Sequence, residues 1–188
     1  MLYYAGIGSR ETPEQYLKMM KLIGKKLAKM GYTLRSGGAD GADLAFEEGC
    51  DAAHGKKEIM LPWHGFNESK SKIHHYPKGA FDLAYDFHPY LKNCKESIVK
   101  LMARNTCQVL GLDLKTPSSF VICYCEKDSK GNYKGGTGQA LRVAEHFNIP
   151  IYNMFLPEDK ERFSQRISLP DMKVHNQESS MKEDTQAS

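Results

Sequence analysis

The chain has 188 residues, 40% hydrophobic and 26% charged, which is about one globular domain and enough to bury roughly 70% of its unfolded surface. Its formal charge of +3 is uneven: residues 157–188 carry five Lys/Arg and seven Asp/Glu, leaving 21 basic against 16 acidic residues, net +5, in the body. A mildly basic body suits an anionic ligand but falls short of the basic stripe of a dedicated nucleic-acid binder, and no run approaches the roughly 20 apolar residues of a membrane span.

The first residues, Met1 to Ile7, read as a strand without the charged region of a signal peptide. Gly6-Ile7-Gly8-Ser9-Arg10 ends that strand, and Thr12-Pro13-Glu14 marks a helix start with Thr12 as cap. Tyr16, Met20, Ile23, Leu27 and Met30 recur at helical spacing, Gly31 stops the helix, and Tyr32 to Arg35 form a second strand. The pattern repeats: Ser36-Gly37-Gly38-Ala39-Asp40-Gly41-Ala42-Asp43 leads into a helix to about His54, and Lys57–Pro62 is a third strand.

Residues 63–88 show little periodicity and read as an irregular excursion. A long helix is expected from about Pro89 to Leu110, and Ser119–Cys125 is the clearest buried strand. Asp128–Asn132 is a turn, Gly135-Gly136-Thr137-Gly138 opens a helix through Phe147, and Pro150–Met154 is the last strand. This alternation predicts a single-domain α/β fold, a Rossmann-like parallel sheet with helices on both faces, over residues 1–156. Residues 157–188 are expected to hold a short amphipathic helix and, after Pro170, a disordered charged tail. Five cysteines (Cys50, Cys94, Cys107, Cys123, Cys125) lack paired spacing and read as thiols of a cytoplasmic protein.

Three glycine-rich segments each follow a strand and precede a helix. Parallel strands bring such turns to one sheet edge, where glycine admits a phosphate and the helix N-terminus supplies free N–H groups. None is a Walker A loop, for no Gly-Lys-Ser/Thr ending is present. Nor is the first a dinucleotide turn, since Glu11 stands where the third glycine belongs. Phosphate hydrolysis of the P-loop kind and ordinary NAD-dependent redox chemistry are therefore disfavoured.

Gly8-Ser9-Arg10 and the string Ser36 to Asp43 resemble the SLOG superfamily of Rossmann-like proteins. That superfamily includes Smf-type DNA-processing proteins, Lonely guy phosphoribohydrolases and YspA/YpsA-like proteins. Leu101-Met102-Ala103-Arg104-Asn105, the strand at 119–125 and Gly135-Gly136-Thr137-Gly138 follow the order of the Lonely guy pattern. The resemblance covers about residues 2–155 and implies a nucleotide or nucleotide-derived phosphate ligand, cleaved at an N-glycosidic or phosphoribosyl bond or only bound. Arg142 stands where that pattern has its catalytic Glu, with Glu145 a helical turn further on, and Asn105 replaces the lysine of its Arg-Lys pair. Turnover is left open.

The expected ligand-binding residues are Gly8, Ser9 and Arg10; Ser36, Gly37, Gly38, Asp40 and Asp43; Arg104 and Asn105; and Gly135, Gly136, Thr137, Gly138 and Gln139. Asp40 and Asp43 either cap a helix or bind ribose hydroxyls, and Asp43 or Glu47 are the candidates for acid–base work. Arg10 and Arg35 either pair a phosphate, the role favoured for Arg10, or neutralise Asp40 and Asp43. Arg104 binds phosphate or ribose, or is a surface charge. Trp63, with His64 and Phe66, either stacks on a base or anchors its loop. Cys123 and Cys125 share a strand face and read as core rather than metal ligands, and no metal or cofactor is expected. The rival reading is single-stranded DNA binding in the manner of Smf-type proteins, through Ser9, Arg10, Lys70 and Lys72. A homo-oligomer would use the long helix at 89–110.

Overall fold

The computed structural model describes residues 1–88 and 90–167; the tail anticipated after Pro170 lies outside the described residues. Five parallel strands form one sheet in the order β3-β2-β1-β4-β5. The strands are β1 (Leu2–Gly8), β2 (Tyr32–Ser36), β3 (Lys57–Ile59), β4 (Val121–Tyr124) and β5 (Ile151–Asn153). The helices are α1 (Glu14–Lys29), α2 (Ala42–Asp51), α3 (Lys78–Phe87), α4 (Glu96–Leu110), α5 (Gly135–His146) and α6 (Pro157–Ile167).

Alternation along the strands divides the core in two. Tyr4, Leu34, Phe120, Ile122 and Tyr152 face α1, α2 and α6, where they meet Met20, Ile23, Leu27, Phe46 and Phe163. Ala5, Ile7, Val121, Cys123 and Cys125 face the other way and pack on Val109 and Leu110 of α4 and Leu141, Val143 and Ala144 of α5. Cys123 of β4 and Cys125 just beyond its end are thus core residues, each pushed up from the usual thiol range by burial. Among the described residues no helix is long and apolar enough to cross a membrane.

Several local expectations are corrected. Thr12 does not cap α1: Pro13 holds the cap position in extended conformation, and the Thr12 hydroxyl donates instead to the Ser9 carbonyl at 2.7 Å. Met30, the last member of the stripe, is exposed: it is the C-cap of α1, beyond the last helical residue Lys29 and just ahead of Gly31 at φ +84. β3 stops at Ile59, and Met60 forms an isolated bridge with Ile73 of the excursion, which covers the sheet edge. The excursion itself contains α3, whose Ala80 and Ala84 are buried. The long helix is α4 alone; before it, Leu91–Asn93 is a separate 3-10 turn that buries Leu91 beside Ala84, Val99 and Met102.

Candidate functional site

From β1 the chain winds outward to β2 and β3, then crosses back to place β4 and β5 on the other side of β1. The winding reverses between β1 and β4, and such a reversal leaves a crevice at the carboxyl ends of the two strands. A cleft of about 670 Å³ lies there. Gly8, Ser9, Arg10 and Glu11 line it from the end of β1, and Tyr124, Cys125 and Glu126 from the end of β4. α4 supplies Met102, Arg104, Asn105 and Gln108 among others, the cap and first turn of α5 supply Lys134 to Thr137, and Ala39, Asp43 and His88 also line it.

The second glycine turn closes on itself. Asp43, 4% exposed, accepts a hydrogen bond from the Ala39 backbone N–H at 3.4 Å and lies 3.5 Å from Nη1 of Arg104. Its carboxylate thus sits among N–H groups of the loop ahead of α2 rather than at the helix N-terminus itself. Burial pushes its pKa up to about 6, opposed by Arg104 and by the backbone N–H groups of Ala39, Gly37 and Gly8. Gly37 makes room for this arrangement, since a Cβ there would fall 1.4 Å from Arg104 Nη1 and 2.6 Å from Asp43 Oδ2. Gly41, at φ +78, brings the second turn against the first, where a Cβ would lie 2.8 Å from the Arg10 backbone. These glycines serve close packing between loops.

The third turn stays open. α5 starts at Gly135, and its first bond at this end runs from Gly138 N–H to the Lys134 carbonyl. The N–H groups of the first turn of a helix have no partner within it, and here Gly135, Gly136 and Thr137 line the cleft. Asn105 braces the turn, donating from Nδ2 to the Gly136 carbonyl at 3.0 Å. Opposite, Arg104 is 6% exposed, and its Nε has no hydrogen-bond partner among the described residues. Gln108 Nε2 and His88 Nδ1 share that condition, and both residues line the cleft. Buried polar groups are normally satisfied, and these three exceptions belong to residues that line one cleft.

The cleft therefore brings together Gly8, Ser9, Arg10, Asp43, Arg104, Asn105, Gly135, Gly136 and Thr137. Ser36, Gly37, Gly38, Asp40, Gly138 and Gln139 lie outside it. The Ser36 hydroxyl donates to the Gly6 carbonyl at 2.7 Å, the Gly38 carbonyl accepts from Asn67, and Asp40 is exposed. Gln139 is fully buried and donates from Nε2 to Thr106 Oγ1, tying α5 to α4. Glu47 pairs with Lys57 at 2.8 Å, away from the cleft. Arg142 donates from Nε to the Phe87 carbonyl at 2.8 Å, so the place of the expected catalytic Glu holds a structural arginine.

Arg35 takes neither role foreseen for it: buried, it pairs with Glu58 at 2.8 Å and covers the Tyr3 ring. Trp63 packs edge-on against Phe66 and does not line the cleft. Lys134, Glu11, Glu126 and His88 were not singled out from the sequence. The first three flank glycine turns or strand ends, a signal that position alone carries. His88 follows α3, which has no legible periodicity. Among the described residues no group of three His, Cys, Asp or Glu is placed to hold a metal ion.

No family model and no curated protein matches the chain in sequence. Solved structures do. DNA processing protein A from Helicobacter pylori, described for its single-stranded DNA binding, is 19% identical with a TM-score of 0.52, over 88% of this chain and 72% of that one. The molybdenum cofactor carrier protein of Chlamydomonas reinhardtii is 18% identical with a TM-score of 0.50, over 88% and 85%. A second structure of that carrier gives 17% identity, a TM-score of 0.51, and coverage of 88% and 83%. At these identities the likeness speaks of the fold alone: the chain has a Rossmann-like α/β fold, as those structures do.

Proposed function

We propose that the chain binds a nucleotide or nucleotide-derived phosphate ligand in the cleft between β1 and β4. The observation that carries this reading is the meeting of a free α5 N-terminus and the buried, incompletely partnered Arg104 across one cleft. Phosphate oxygens would accept from the N–H groups of Gly135, Gly136 and Thr137 and from Arg104, with Lys134 and Arg10 at the rim. Arg10 has no carboxylate partner among the described residues; its guanidinium lies 5.8 Å from the Phe66 ring. Titration calorimetry against a panel of nucleotides and ADP-ribose tests the reading. Saturable binding that is lost in Arg104→Met supports it, and no binding across the panel overturns it.

A cleaving version of the site would draw its acid or base from Asp43, because Glu47 is committed to Lys57 outside the cleft. Free base released from a nucleoside 5′-monophosphate, and no longer released by Asp43→Asn, would establish that version. The second reading is single-stranded DNA binding, as described for the structurally similar DNA processing protein A. Exposed Arg10, Lys70 and Lys72 favour it. Oligonucleotide affinity that falls steeply with salt would support it, and indifference to DNA at low salt would remove it.

A further inference from the structure

Asp43 and Arg104 face each other from α2 and α4 at one wall of the cleft. Only Nη1 of the guanidinium reaches the carboxylate, at 3.5 Å, while Nε is buried without a partner among the described residues. An arginine offers five N–H donors in a fixed fork, so Asp43 uses a fraction of this one and donors remain for a second anion. An oxyanion arriving there would meet a buried carboxylate already holding the same cation. Two anions sharing one cation in a low-dielectric site repel, and the weaker acid of the two takes up a proton.

The other charged and titratable groups are placed differently. Arg10 and Lys134 stand at the cationic rim, Glu11 and Glu126 at the anionic one, His88 follows α3, and Tyr76 faces Arg104 from the loop before α3. Asp43 is the carboxylate in contact with Arg104, and burial has already brought it to about 6.

We propose that Asp43 and a ligand oxyanion share Arg104, so that Asp43 takes up a proton from solvent as the oxyanion binds. The exchange rests on the phosphate-binding reading above and deepens it: the cleft holds an internal anion that the ligand displaces electrostatically, and one O–H bond forms for each oxyanion seated. Neutral Asp43 keeps an oxygen to accept the Ala39 N–H, so the second turn retains its shape.

The test uses sulfate, which does not titrate near neutral pH, in calorimetry between about pH 5.5 and about pH 8 in two buffers of different ionisation enthalpy. The expected results are affinity that weakens up to about tenfold per pH unit above about pH 6, and uptake approaching about one proton per sulfate at the high end. Asp43→Asn removes both effects, whereas His88→Asn keeps them. Equal affinity across the range, or proton uptake that persists in Asp43→Asn and disappears in His88→Asn, overturns the proposal. If Asp43→Asn does not fold, wild-type uptake that survives in His88→Asn still supports it, and its absence still overturns it. Nucleotide binding without proton uptake defeats the exchange and leaves the binding reading standing; failure of every anion to bind defeats both.

Discussion

The second and third glycine turns look alike in sequence and do opposite things. Ser36–Asp43 is filled from within: the Asp43 carboxylate occupies the loop's N–H groups, and Gly37 and Gly41 make close contacts with Arg104 and with the first turn. Gly135–Thr137 line the cleft with N–H groups that have no partner among the described residues, braced by Asn105. A glycine-rich strand-to-helix turn is thus not enough by itself to leave an anion position open. What separates the two is whether the protein supplies its own anion.

That contrast is broken most severely at Arg104. Arg104→Met leaves Asp43 buried without its cation, and breaking a buried pair in this way costs about 3–5 kcal/mol. The loss depends on pH. The folded-state pKa of Asp43 is raised to about 6 from an ordinary value of 3.8, so its contribution to stability is full below the unfolded value and is lost as pH rises through the folded one. Without Arg104 the folded value rises further. Urea denaturation should show the variant much weaker than wild type near pH 8 and close to it near pH 5; an equal deficit at both would contradict the pairing.

Gly37→Ala comes next. Its Cβ would drive Arg104 off Asp43, and overpacking of this kind costs about 1–3 kcal/mol, read as a lower midpoint in the same denaturation. The matching change in the third turn has another signature. In Gly136→Ala the new Cβ meets the flexible end of Met102 at 3.1 Å and Asn105 Nδ2 at 3.2 Å, so stability should move little. Nucleotide affinity should fall about tenfold. A stability loss equal to that of Gly37→Ala would erase the distinction. Smallest is Glu47→Gln, which removes a partly exposed ion pair with Lys57. The change should stay within about 1 kcal/mol and leave calorimetric binding untouched.

The architecture was legible because each half of the sheet repeats strand, glycine turn and helix with apolar spacing that local rules decode. α3 was not, since Gly79 and three charged residues obscure the spacing of Ala80 and Ala84 and its start follows an irregular loop. In the site, local sequence marks Gly135–Thr137 correctly as a helix start facing the strand ends. It cannot show that Gly37 makes room for Arg104, because that contact joins residues 67 positions apart. Arg142 shows the same limit: its partner, the Phe87 carbonyl, comes from α3, whose position only tertiary packing reveals.

The claim that the third turn, not the second, receives the ligand is tested most directly by backbone amide NMR during titration with ADP-ribose. Binding as described shifts Gly135, Gly136, Thr137 and Ser9 amides in a saturable, concerted way while those of Gly38, Asp40 and Gly41 move little. Saturable shifts confined to Gly38–Gly41, with the start of α5 silent, would contradict it.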